Sequence, residues 1–164
     1  MRVLGVDPGT RITGYGLVDL VAGKARYVSH GLVKPHPKQP LWDRIQEIHT
    51  SIAEIASATR PDVLAIERCF VHRNVDSALK LGHTRGVIIV ACMNAGAEVH
   101  EYAPSQIKSA VTGRGRAEKH QVAQMVKMLL SLDTAPPEDA ADALAVALCH
   151  AAGVRATQAL RPAR

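Results

Sequence analysis

The sequence predicts an α/β fold: a mixed five-stranded sheet, three antiparallel strands followed by two parallel ones, with helices on both faces. Three observations predict it. Three strand-like segments come first and a long helical segment follows them. The run Val63–Ile66 is too apolar to keep a solvent face, which marks a central parallel strand. Helix and strand then alternate once more before the chain closes on helices.

The first strand is Met1–Val6, ending at Asp7, with Pro8, Gly9, Gly14 and Gly16 supplying turn chemistry around it. Tyr15–Leu20 is the second strand, Ala22-Gly23-Lys24 a turn, and Ala25–Val33 the third strand. Pro35, Pro37 and Pro40 break the chain before Leu41–Ala58, where Leu41, Ile45, Ile48, Ile52 and Ile55 recur at three and four residues, the spacing of one helical face. Arg60-Pro61 ends that helix. Val63–Ile66 follows as a strand with Glu67 at its carboxyl end, then a polar loop, Arg68–Asn74, and a second long helix over Val75–Asn94. Glu98–Tyr102 is the last strand. Pro104 opens a helix of two turns, and Thr112-Gly113-Arg114-Gly115-Arg116 interrupts it as a basic loop. Glu118–Leu130 and Glu138–Ala152 complete the helices, separated by Pro136-Pro137.

With 164 residues and 47% hydrophobic composition, the chain is long enough for one core and too short for two, giving a domain over 1–153 and a basic tail over 154–164. Its longest apolar run falls far short of a membrane span, and Met1 opens straight into a strand, so a soluble, unsecreted, cytoplasmic protein is expected. Cys69, Cys92 and Cys149 are odd in number and lack a CxxC pair, which argues against a disulfide framework or a zinc site. The net charge of +5 is unevenly placed. Between Tyr102 and Leu132, Lys108, Arg114, Arg116, Lys119 and Lys127 meet one acid, Glu118, which suits a polyanionic partner.

Four acids carry the chemistry. Asp7 and Glu67 each terminate a hydrophobic strand, where open α/β sheets bind ligands. Asp139 and Asp142 stand at i and i+3 on the last helix, on a face that continues through Val146 and Cys149 toward protein. Singly, each has an ordinary explanation: Asp139 as a first-turn acid complementing the helix dipole, Asp7 as a turn residue before Pro-Gly, Glu67 as a partner of Arg68 or Arg73. Together, three distant segments bring like charges to one sheet edge, which destabilises a fold unless a cation joins them. All-oxygen donors select Mg²⁺ or Mn²⁺ over zinc. Two such ions about 3.5–4 Å apart clamp an in-line phosphoryl displacement, so phosphodiester hydrolysis is implied, with Asp7 bridging, Glu67 and Asp142 flanking, and Asp139 a ligand that also helps orient the attacking water.

Phe70 stands among Arg68, His72 and Arg73 beside the proposed metals, where an aromatic ring can stack on an unpaired base or fold back into the core. Lys108 and Lys119 flank the basic loop and can hold phosphates; Arg73, Arg114 and Arg116 are further candidate DNA contacts on charge. His30, His36, His49 and His150 form no HxH or HxxxH grouping and are expected to be surface or satisfied residues. Gly82 and Gly86, four apart on the second long helix, permit close approach of another helix.

The segments GVDPGTRITGYG at 5–16, AIERCF at 65–70, DSALKLGHTRGV at 76–87, YAPSQIKSAVTGRGRAEKHQV at 102–122 and DAADALAVALCH at 139–150 resemble, in the same order, the RuvC family of Holliday-junction resolvases. The resemblance implies an RNase H-like fold and a homodimer that nicks two strands of like polarity at a four-way DNA junction, in recombination and repair, leaving 5′-phosphate and 3′-hydroxyl ends. It implies Mg²⁺-dependent catalysis by Asp7, Glu67, Asp139 and Asp142, base stacking by Phe70, DNA contact by Lys108 and Lys119, and work beside a branch-migration helicase. Two rival readings differ in class. Asp7-Pro8-Gly9-Thr10 resembles the first phosphate loop of actin-like ATP-binding proteins, but the chain has no internal repeat to supply a second, so no nucleotide cofactor is expected. A non-catalytic junction-binding module uses the basic surface yet has no reason to gather four carboxylates near a polyanion.

Overall fold

The computed structural model describes residues 1–68 and 74–159. Among these residues five strands, β1 (Arg2–Asp7), β2 (Thr13–Val21), β3 (Lys24–Val33), β4 (Val63–Glu67) and β5 (Glu98–Tyr102), form one sheet in the order β3-β2-β1-β4-β5. The β1–β2 and β2–β3 pairs are antiparallel, and β1–β4 and β4–β5 are parallel. β2 and β3 are joined by the two-residue loop Ala22-Gly23, both at positive φ (49° and 74°), as a hairpin twisted like its strands requires.

Among the described residues five helices cover the sheet: α1 (Leu41–Thr59), α2 (Val75–Asn94), α3 (Pro104–Thr112), α4 (Lys119–Leu129) and α5 (Glu138–Ala159). Alternation along each strand divides the core in two. Leu4, Val6, Leu17, Leu64 and Ile66 pack with Ile48, Ile52 and Ala56 of α1 and Ile88, Ala91 and Cys92 of α2. Val3, Val18, Val63 and Ala65 pack on the other side with Ile107, Val111, Val122, Val126 and the α5 residues Leu144–Cys149. Helices therefore lie on both faces, as expected. Asn74 caps α2, its Oδ1 accepting the Ser77 N–H at 3.1 Å.

The second strand starts earlier than the sequence reading had it. Gly14 lies within β2 rather than in the turn before it, and Gly14 and Gly16 both face α5. A Cβ at Gly14 would sit 1.9 Å from the Asp139 carbonyl oxygen, one at Gly5 of β1 would sit 2.0 Å from that of Ala143, and one at Gly16 would meet the Leu144 side chain at 2.5 Å. Opposite them α5 presents Ala140, Ala143 and Ala147, all fully buried. Small residues on both sides let the helix backbone rest almost on the strand backbone, which is why β2 cannot carry side chains there.

α5 also runs further than expected. It continues to Ala159, beyond the boundary placed at Gly153, while residues 160–164 lie outside the described residues. His150 is buried, with its Nδ1 2.6 Å from the Tyr102 hydroxyl and its ring edge-on to His100, but its Nε2 is buried without a partner among the described residues. It is a half-satisfied core histidine rather than a surface one. Among the described residues no helix is long and apolar enough to cross a membrane.

Candidate active site

Strand register places the first two acids. The last β1–β4 pair is Val6 with Ile66, and Asp7 and Glu67 are the next residue of each strand, so they emerge side by side. Both share the parity of Val3, Gly5, Val63 and Ala65, so both project toward α5. The turn after Asp7 is tied down: the Thr13 hydroxyl, fully buried, donates to the Gly9 carbonyl at 2.8 Å, and Arg44 Nη1 of α1 donates to the Thr10 carbonyl at 3.1 Å.

α5 supplies the third acid. Asp7, Glu67 and Asp142 line one cleft of about 300 Å³ together with Pro104, Ile107 and Lys108 of α3 and Lys119 and Val122 of α4. Asp139, one turn earlier, is half-buried and does not line that cleft, although its charge acts on both Asp7 and Asp142. Lys119 Nζ lies 2.6 Å from Glu138 Oε1 and 3.5 Å from Asp142 Oδ2. Glu138 was not singled out by sequence, where it reads as an ordinary acid in a first helical turn.

The electrostatics are those of crowded carboxylates. Burial, then the charges of Asp142, Glu67 and Asp139, push Asp7 up to about 7 against relief from Lys119. Burial and Asp142 raise Glu67, opposed by Lys108 and Lys119; burial raises Asp142, opposed by Lys119. Hydrogen bonding to Glu138 in turn raises Lys119. Hard oxygen donors that repel one another in a partly buried cleft are chemically suited to a divalent cation. Among the described residues no three His, Cys, Asp or Glu side chains converge tightly enough to enclose an ion as they stand, and the longer of the two Lys119 contacts, 3.5 Å, is the one to Asp142. Asp7, Glu67 and Asp142 would hold the cation, with Asp139 beside them.

A pH dependence follows for the metal-free protein. Asp7 binds its proton more tightly when folded, about 7, than at its ordinary value of 3.8. The stability this confers is complete below the unfolded value and is lost as pH rises through about 7. In EDTA, Asp7→Asn is therefore expected to melt higher than the unsubstituted protein at pH 8, by on the order of 5 °C, with the gap closing toward pH 4. Melting curves whose difference is flat across that range would contradict it.

Other expected DNA contacts divide. Lys108 and Lys119 reach the acidic cleft. Arg114 and Arg116 are exposed in the α3–α4 connection and do not line it; Arg114 borders a second groove with Thr112, His120, Gln121 and Gln124. Phe70 and Arg73 lie outside the described residues.

A family profile described as crossover junction endodeoxyribonuclease RuvC matches residues 3–150. The crossover junction endodeoxyribonuclease RuvC of Halorhodospira halophila is 52% identical over 150 residues, covering 92% of this chain and 89% of its own. The structure of Thermus thermophilus RuvC in complex with Holliday junction substrate matches with a TM-score of 0.88 at 40% identity, over 96% of both chains. The yeast mitochondrial Holliday junction resolvase Ydc2, at 12% identity and a TM-score of 0.67 over 95% of this chain and 82% of its own, shares the fold. That fold, with its β3-β2-β1-β4-β5 order, is RNase H-like.

Proposed function

Because this chain belongs to the RuvC family of crossover junction endodeoxyribonucleases, we propose that it is a Holliday-junction resolvase, cutting four-way DNA junctions by paired phosphodiester hydrolysis in recombination and repair. The observation that carries the reading is the single cleft in which Asp7 and Glu67, delivered side by side by two parallel strands, meet Asp142, Lys108 and Lys119. Bound divalent ions, Mg²⁺ with Mn²⁺ able to substitute and two per site, would supply Lewis-acid activation of the attacking water and of the scissile phosphate. Asp7, Glu67 and Asp142 would hold those ions, and Asp139 would add a further ligand and help orient the water. Lys108 and Lys119 project into the cleft as cations, where they grip the phosphate and offset charge that grows on its oxygens. Cutting leaves 5′-phosphate and 3′-hydroxyl ends. Phe70 stacks on a base at the junction, and Arg73, Arg114 and Arg116 hold flanking backbone.

A homodimer supplies two cuts. Val75, Leu79, Gly82, Gly86, Val90 and Met93 recur at three and four residues along α2, and all six are exposed. Among the described residues nothing lies within 4 Å of a Cβ built at Gly82 or Gly86, so this apolar stripe has a flat centre on which a second α2 can lie. The stripe belongs to the sheet face opposite α5, which leaves both clefts open to one junction. The enzyme works in the cytoplasm beside a branch-migration helicase and needs no nucleotide of its own.

Cleavage of a synthetic four-way junction beside linear duplex of the same sequence, at one salt concentration, tests this. Symmetric nicks confined to the junction, present with Mg²⁺ and absent with EDTA, are expected, from a species sedimenting at twice the 17.6 kDa chain mass. Tight junction binding without cuts in Mg²⁺ or Mn²⁺ would favour a binding module instead.

A further inference from the structure

Lys119 stands at the start of α4 between two carboxylates one helical turn apart on α5, Glu138 and Asp142. It does not share itself equally. The short contact, 2.6 Å, goes to Glu138, and the contact to Asp142 is 3.5 Å. The Glu138 side chain is 63% exposed, against 23% for Asp142. An ion pair so exposed adds little to stability, so its consequence lies in what it does to the competition for Asp142. An ammonium and a divalent cation cannot both neutralise the same carboxylate oxygen. Without Glu138, Asp142 would be the nearest anion left to Lys119.

We propose that Glu138 is a positioning residue that draws the Lys119 ammonium off Asp142 and keeps Asp142 available to a divalent cation. This rests on the metal-dependent reading of the site. Pro136-Pro137 immediately precede α5, and the Pro137 carbonyl accepts the Ala141 N–H at 2.8 Å, so the first turn that carries Glu138 is fixed relative to Asp142. Lys119 can then swing between the parked position on Glu138 and a phosphate in the cleft without closing over the acids.

The test is a Mg²⁺ titration of melting temperature in the DNA-free protein, a readout independent of cleavage. Glu138→Gln keeps the shape and removes the charge, and it is expected to shift the Mg²⁺ midpoint upward roughly two- to fivefold, the range an exposed ion pair allows. Glu138→Asp is expected to recover part of that shift. In a Lys119→Met background, where no ammonium competes, Glu138→Gln is expected to leave the midpoint where it is. An unchanged midpoint for Glu138→Gln with Lys119 present overturns the proposal. So does a shift of equal size in the Lys119→Met background, which would mean that Glu138 attracts the cation simply by its charge. The unsubstituted protein and Asp7→Asn, titrated alongside, separate the two levels: a Mg²⁺-dependent rise that Asp7→Asn abolishes supports the metal site whatever Glu138 does, and its absence overturns both.

Discussion

Asp7→Asn is expected to bind a four-way junction within about threefold of the unsubstituted enzyme and to cut it at least roughly a thousandfold more slowly. Asn matches Asp in shape, so β1 and its pairing with Gly14 are undisturbed. What is lost is the charge at the most central acid of the cleft, the one whose protonation responds to Glu67, Asp139 and Asp142 together. A neutral amide is a poor ligand for a hard divalent ion and cannot bridge two. Binding, which depends on cations meeting phosphates, has no reason to weaken and gains from removing one negative charge. Single-turnover cleavage and binding measured in Ca²⁺ or EDTA on the same junction separate the two effects. Cutting at the unsubstituted rate would show that Asp7 is not a metal ligand.

The second large effect is expected from a residue with no side chain. Gly14→Ala would place a methyl group 1.9 Å from the Asp139 carbonyl oxygen, a contact with backbone that no rotamer change can relieve. Either β2 or the start of α5 must move. Overpacking of this kind costs about 1–3 kcal/mol, or roughly 2–4 °C of melting temperature for each kcal/mol in a domain of this size. The larger consequence is functional, because the turn that would move carries Asp139 and leads directly into Asp142. We expect cleavage to fall by on the order of a hundredfold, a loss out of proportion to the stability change, since misplacing a catalytic group by ~1 Å costs about that much. Full activity at a temperature well below the variant's own melting point would mean that α5 tolerates the shift.

Most of this architecture is legible in the residues themselves. The apolar run Val63–Ile66 and the isoleucine spacing of α1 reveal their elements because the first is buried at every position and the second on a helical period. Asp7 and Glu67 stand out because an acid at the end of an apolar strand has no role in the core. The glycines of β2 were harder. Gly14 lies against the Asp139 backbone and Gly16 against Leu144, both on a helix at the far end of the sequence, a relation that local turn chemistry cannot express. Glu138 is invisible for a similar reason: its partner Lys119 is on another helix, and an acid in a first turn already has a sufficient local explanation. For His150 the sequence leaves surface and satisfied burial both open, because the partner that decides between them, Tyr102, approaches from the sheet edge 48 residues away along the chain. In each case the deciding contact is non-local, whereas the residue's neighbours in sequence favour something ordinary.

The single-residue step by which Asp7 and Glu67 follow the Val6–Ile66 pair has a bearing on how a preparation of this protein is judged. Strand β1 meets β4 across some sixty residues of intervening chain, so their alignment is a long-range decision made against a large entropy of closure. A slip of one residue in either strand would turn its acid to the opposite side of the sheet, toward α1 and α2, while leaving helix content and much of the hydrophobic burial in place. Circular dichroism would hardly notice. Turnover per mole of chain, calibrated against a count of tight metal sites, would notice completely. Asp7 and Glu67 thus serve as built-in reporters of assembly fidelity, and specific activity becomes a quality measure for refolded material where spectroscopy is blind.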